Sequence, residues 1–296
     1  MPSPTGFGEG QADMLQVVDR LSWAGLTDYP NEDACGAAGD WAWVIDTSIF
    51  PGTRPVMHEA SDARWLADTA TERLAALAPS AEDGPDLLRR VMGDLRDAFL
   101  AVAPPERHDP VTWPLGAMTL VRRKGDLLDA WTFGDTTAYL RRPDGSVATV
   151  GEGPELRKAE MAMAAAILKA SGTTPRTVTK SPEFRTWLAE RRERQKARNE
   201  LALLSLDPAA ADRLRHETLS CPSGSTILLV SDGLSALVDL YGHLDAAGLM
   251  EAALSGGLEP LARKAREIET QVDPSGERFP RFKESDDLTG LLVRVV

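Results

Sequence analysis

Thr226-Ile227-Leu228-Leu229-Val230-Ser231-Asp232-Gly233-Leu234 opens as a continuous apolar run and breaks at a carboxylate and a glycine. The run Thr226–Val230 has no polar alternation, which predicts a strand covered on both faces. A carboxylate at the end of such a strand loses its hydration unless a cation or hydrogen-bond donors replace the water. The same conjunction recurs along the chain. Trp41-Ala42-Trp43-Val44-Ile45 closes on Asp46, and Trp131-Thr132-Phe133-Gly134 is followed by Asp135. Asp286-Asp287 opens Leu288-Thr289-Gly290-Leu291-Leu292-Val293, and Glu32 and Asp33 stand just after a first predicted strand, Leu21–Leu26.

Between these strand ends the pattern alternates in blocks. Strands are predicted at Leu21–Leu26 and Trp41–Asp46, joined by a polar turn containing Pro30-Asn31. Leu66, Ala70, Leu74 and Leu77 have helical spacing, so Ser61–Leu77 and Pro85–Val102 predict two amphipathic helices, ended by Pro79 and by Pro104-Pro105. A strand meander follows at Gly116–Arg123, Leu127–Phe133 and Thr137–Arg141, with a Pro143-Asp144-Gly145 turn before Val147–Val150. Further helices are predicted at Glu155–Ala170, Pro182–Leu203, Ala246–Leu254 and Pro260–Thr270, and a last strand at Leu288–Val296. Runs of strands separated by helix pairs predict an α+β layered domain of two largely antiparallel sheets with helices outside.

Composition narrows the function. Net charge is −12, with 45 acidic against 33 basic residues. That balance opposes general nucleic-acid binding, which needs a positive field to displace counterions. Cys35 and Cys221 are the only cysteines, too few for a disulfide framework, and no Cys or His pair has zinc-ligand spacing. No apolar run is long enough to cross a bilayer, and Met1–Met14 lacks the features of a secretory signal. A cytoplasmic protein without a membrane partner is expected. Any one of the strand-end aspartates, taken alone, serves equally well as a helix cap or turn residue. Several converging would repel one another, and bound Mg²⁺ or Mn²⁺ resolves that conflict with oxygen ligands.

Taken in order, Asn31-Glu32-Asp33, Val44-Ile45-Asp46, Gly134-Asp135-Thr136, Ser231-Asp232-Gly233-Leu234 and Asp286-Asp287-Leu288-Thr289 resemble the motifs of the protein phosphatase 2C family, in a divergent bacterial form. The resemblance implies a four-layer α-β-β-α sandwich over residues 15–296, with a helical insertion around 171–215 and residues 1–14 disordered or extended. It implies two Mn²⁺ or Mg²⁺ ions, with Asp46, Asp232 and Asp286 as the catalytic set. Asp46 would bridge both ions, the Thr47 carbonyl would bind one, and Asp232 and Asp286 would complete the other. Glu32 and Asp33 would hold metal-bound waters, and Asp135 with Asp232 would be placed for a third, weaker cation. The implied activity is hydrolysis of phosphoserine and phosphothreonine esters by a water bridging two divalent cations. The partner would be a phosphorylated protein or a small phosphoester.

Three features depart from the family pattern. Asp46-Thr47-Ser48-Ile49-Phe50 has no glycine after the bridging aspartate. Asp28 occupies the position where relatives commonly carry a phosphate-binding arginine, and a carboxylate there repels a phosphate. The segment Pro182–Leu203 concentrates Arg191, Arg192, Arg194 and Arg198 among glutamates. It reads as a solvated helix with i,i+4 ion pairs, or as a flap helix placing one of those arginines over the metal site. These departures leave two alternatives beside a protein phosphatase: an inactive pseudophosphatase acting as a binding module, and a phosphatase for a small phosphoester.

Overall fold

The computed structural model describes residues 15–25, 29–152, 154–197 and 202–296, without the side chains of 154–156 and 195–197. The N-terminal segment 1–14, Asp28 and Arg198 therefore lie outside the described residues. One antiparallel sheet has the order β1 (Leu15–Trp23), β10 (Leu288–Val295), β9 (Thr226–Val230), β6 (Thr137–Arg141), β7 (Val147–Val150). The other runs β2 (Asp33–Ala38), β3 (Trp41–Ser48), β4 (Leu115–Lys124), β5 (Leu127–Phe133), β8 (Arg215–Ser220).

Two-residue periodicity sorts the central strands into packing layers. From β3, Trp41, Trp43 and Ile45 join a core with α1 (Asp62–Leu77) and α2 (Gly84–Leu100), while Ala42 and Val44 enter the core between the sheets. From β9 and β10, Ile227, Leu229, Leu291 and Val293 face that same inner core. Leu228, Val230, Leu288 and Leu292 face outward onto α5 (Asp232–Asp239), α6 (Ala246–Gly256) and α7 (Glu259–Glu267). The result is the expected four-layer α-β-β-α sandwich. α1 starts where the Ser61 hydroxyl accepts from the Ala63 N–H, and α2 where Asp83 accepts from the Asp86 N–H. α3 (Pro154–Ser171) and α4 (Pro182–Ala197) leave from β7 and form a small core of their own, in which Phe184 and Trp187 meet Phe282.

Several elements differ from the sequence expectation for local reasons. β1 begins at Leu15 and ends at Trp23, because a bulge between Val17 and Asp19 breaks the alternation that would have marked it. β2 and β8 carried no strand signal: Asp-Ala-Cys-Gly-Ala-Ala lacks large β-formers, and β8 is an exposed edge strand. The final helix passes at Ile268–Val272 into a π turn rather than continuing as α-helix.

Close backbone approach sets where α5 starts. A Cβ at Gly233 would collide with the Asp287 carbonyl oxygen, so only glycine lets the first turn of α5 lie against the chain entering β10. Gly93, inside α2, faces open space instead. Urea unfolding should therefore show Gly233→Ala losing about 1–3 kcal/mol through overpacking. Gly93→Ala should gain up to about 1 kcal/mol from helix propensity. Equal effects at the two sites would contradict the packing described.

Candidate metal centre

The sandwich brings most of the strand-end carboxylates to one end. Asp33 on β2 lies directly opposite Asp46 on β3, an arrangement of like charges that destabilises a bare sheet. Asp232 is the first residue of α5, two residues beyond the end of β9. Asp286 precedes β10 by two residues. Asp135 sits in the β5–β6 turn, which Gly134 makes possible with φ of 64°. Asp46, Asp135, Asp232 and Asp286 line one cavity of about 330 Å³.

Neighbouring groups hold this end of the fold in place. Asp287 accepts from the Gly25 N–H at 2.8 Å and the Glu32 N–H at 2.7 Å, so its two oxygens tie loops rather than face the cavity. Asn31 accepts from the Asp33 N–H at 2.9 Å and donates to Ser22 Oγ at 2.7 Å, which in turn meets the Thr289 hydroxyl at 2.7 Å. The Ser61 hydroxyl donates to the Glu32 carboxylate. Thr47 replaces the missing glycine with a side chain that fits. Its hydroxyl lies 2.5 Å from the Glu32 carbonyl and 2.8 Å from that of Ala63, bonding β3 to the Glu32 loop and to α1.

Electrostatics follow from burial. Burial raises Asp46 well above the usual carboxylate range, and the charges of Asp33, Asp232, Asp286 and Asp135 raise it further. Burial and the charge of Asp287 do the same to Asp33, which is 2% exposed. Neither Asp33 oxygen makes a well-formed hydrogen bond, although the Ser231 hydroxyl offsets part of the burial. Burial pushes Glu32 up to about 7, against the Ser61 hydrogen bond. Among the described residues Asp232 Oδ1 is buried without a partner. Orphaned carboxylate oxygens in an all-oxygen donor set fit a hard divalent cation. Among the described residues no three acidic, His or Cys side chains close around a single point. Two cations of the chain engage the set instead. Lys283 bonds the Asp286 carboxylate, and Arg157 Nη1 stands 3.4 Å from Asp232 Oδ2.

The predicted arginines separate. Arg191 and Arg192 line the cavity, together with Trp187. Arg192 is 6% exposed and donates to the Val111 carbonyl at 3.1 Å, and burial lowers it to about 10. Arg194 is exposed and pairs with Glu190 across one helical turn at 3.4 Å, lining a neighbouring cavity with Asp135 and Glu152. Arg157, Glu160 and Lys283 were not singled out from sequence. Nothing local marks them, since Arg157 meets Asp232 across 75 residues.

These shifts set a pH dependence for the metal-free protein. A carboxylate whose folded pKa is raised binds more protons folded than unfolded, so stability falls as pH rises through that window. Glu32 alone gives a window from 4.5 to about 7. In excess chelator, the melting temperature should fall between about pH 4.5 and 7, and Mn²⁺ should flatten that fall. A metal-free melting temperature that rises across the window would contradict the burial of these carboxylates.

No protein-family model matches the chain, and no curated protein matches it in sequence. Solved structures do match in fold. The catalytic domain of the serine/threonine protein phosphatase PstP, in complex with two manganese ions, is 18% identical, with 94% of this chain and 96% of that chain covered at a TM-score of 0.51. The PPM Ser-Thr phosphatase MsPP from Mycobacterium smegmatis, in complex with cacodylate, is 19% identical over 95% of this chain and 100% of that chain, with a TM-score of 0.51. Serine/threonine phosphatase Stp1 from Staphylococcus aureus is 12% identical over 97% and 99%, with a TM-score of 0.52. The chain therefore has the fold of the bacterial serine/threonine phosphatases of the protein phosphatase 2C type.

Proposed function

We propose that residues 15–296 form one metal-dependent phosphatase domain, with a helical insertion around 171–215, that hydrolyses phosphoserine and phosphothreonine esters. The observation that carries this reading is the convergence of Asp46, Asp232 and Asp286 on one cavity, with the buried Asp33 opposite Asp46 and, among the described residues, both oxygens of Asp33 and one of Asp232 left without a hydrogen-bond partner. Asp46, Asp232 and Asp286, with the Thr47 carbonyl, would hold two Mn²⁺ or Mg²⁺ ions. Glu32 and Asp33 would order water around them. Bound at this position, the ions supply a water nucleophile at neutral pH and neutralise charge on the phosphoryl oxygens.

The chain's own groups do the rest. Asp287 and Asn31 hold the Glu32–Asp33 loop by backbone hydrogen bonds, so the acidic side chains keep their direction. Arg191 and Arg192 bring positive charge to the cavity from α4 and serve as the phosphate-binding candidates in place of the family's arginine. Trp187, Phe184 and Leu188 on α4 give the cavity an apolar wall. A small phosphoester as substrate is the second reading, favoured because the cavity measures only about 330 Å³ and α4 forms part of its lining. No helix among the described residues is long and apolar enough to cross a membrane.

Chelated protein should fail to turn over p-nitrophenyl phosphate and regain activity on adding Mn²⁺ or Mg²⁺. Full turnover in excess chelator would sink the assignment, and no turnover with either metal would leave a binding module. A phosphopeptide panel then separates the two substrate readings. Asp46→Asn and Asp232→Asn should each cut turnover by about two orders of magnitude or more. Because Asp46 is surrounded by like charges, Asp46→Asn should also keep or raise the metal-free melting temperature. A large metal-free destabilisation would make Asp46 a structural residue instead.

A further inference from the structure

Arg157 meets Asp232 and lines the same two cavities as Asp135, and these are the two aspartates to which the resemblance assigns a third, weaker cation. Its side chain is 13% exposed, and three of its nitrogens reach acceptors. Nε lies 3.2 Å from Asp239 Oδ1. Nη1 lies 3.4 Å from both Asp232 Oδ2 and Glu160 Oε2, and Nη2 lies 3.4 Å from the Asp232 carbonyl. Asp232 and Asp239 are the first and last residues of α5, two turns apart on one face, so one guanidinium spans the helix. Ser235, between them, donates to the other oxygen of Asp239 at 2.8 Å. Asp135 is the remaining carboxylate whose charge acts on Arg157.

The two oxygens of Asp232 have different surroundings. Oδ2 faces Arg157, whereas Oδ1 is buried without a partner among the described residues. One oxygen is thus committed to an internal cation and the other is left for an external one. A guanidinium keeps its charge at any accessible pH and is more weakly hydrated than an ammonium, which suits it to such a half-buried position. A divalent ion held by Asp232 on that side would meet this fixed positive charge and be repelled.

We propose that Arg157 occupies the third-cation position as a built-in charge, so that this site takes two divalent ions and no third. The inference rests on the metal-dependent reading above. Arg157 is then a positioning residue: it orients Asp232 toward the two-ion site and pins the start of α3 to α5 without metal.

Manganese stoichiometry of the full chain tests this directly. Equilibrium dialysis at millimolar Mn²⁺ should give two ions per wild-type chain, and calorimetry of Arg157→Ser should show one additional, weaker ion. Arg157→Lys, which keeps the charge, should stay at two. A third ion on the wild-type chain overturns the inference whether or not the variants fold, as does an unchanged stoichiometry in folded Arg157→Ser. No bound Mn²⁺ on the wild-type chain removes the functional reading and this inference with it. Two ions on every variant leave that reading standing and reject only the role of Arg157.

Discussion

Like charges forced together in a dry place impose the main constraint on this molecule. Two carboxylates 4 Å apart interact by about 4 kcal/mol at an effective dielectric of 20, and a whole domain is stable by only about 5–15 kcal/mol. Asp33, Asp232, Asp286 and Asp135 all act on Asp46, whose carboxyl burial and these charges raise well above the usual range. Such a cluster persists only if protons, side-chain cations or bound ions offset it. The sandwich is what keeps it together. β2 and β3 place Asp33 against Asp46, and β9 and β10 deliver Asp232 and Asp286 from the facing sheet. Both sheets are fixed by the apolar residues between them, so the aspartates cannot move apart without opening the inner core.

The chain's own cations divide this cluster unevenly. Arg157 takes one side of Asp232, and Lys283 takes Asp286. Lys283 is exposed and bonds the Asp286 carboxylate directly. Neither cation bonds Asp33, whose oxygens are orphaned among the described residues, or the second oxygen of Asp232. Those oxygens are where the proposed ions belong. The same division accounts for Asp287: with its oxygens committed to the Gly25 and Glu32 N–H groups, it braces the loop while its neighbour Asp286 faces the cavity.

Much of this was legible in the sequence wherever a physical pattern was local. Val44, Ile45 and the run Ile227–Val230 announce strands covered on both faces, and the structure buries them completely. Each strand-end aspartate could be located because it interrupts an apolar run. β2 and β8 were not legible, since small or polar residues become strands there only through their neighbours β3 and β5. Thr47 read as a lost glycine, yet its hydroxyl bonds the carbonyls of Glu32 and Ala63, partners 15 and 16 residues away. The arginine-rich helix was open between a solvated face and a flap, and α4 has features of both, with Arg194 paired in solvent and Arg192 buried. Arg157 lay beyond sequence reasoning, because its acidic partners on α5 come from far along the chain.

External cations must engage the carboxylate oxygens that Arg157 and Lys283 leave unpaired. An anomalous difference map from a crystal of this chain soaked in Mn²⁺ measures that directly. Two peaks are expected, both touching Asp46, with Asp232 and Asp286 around one of them. A map with no peak at Asp46, in a crystal where Lys283 and Arg157 keep their carboxylate contacts, would contradict the account.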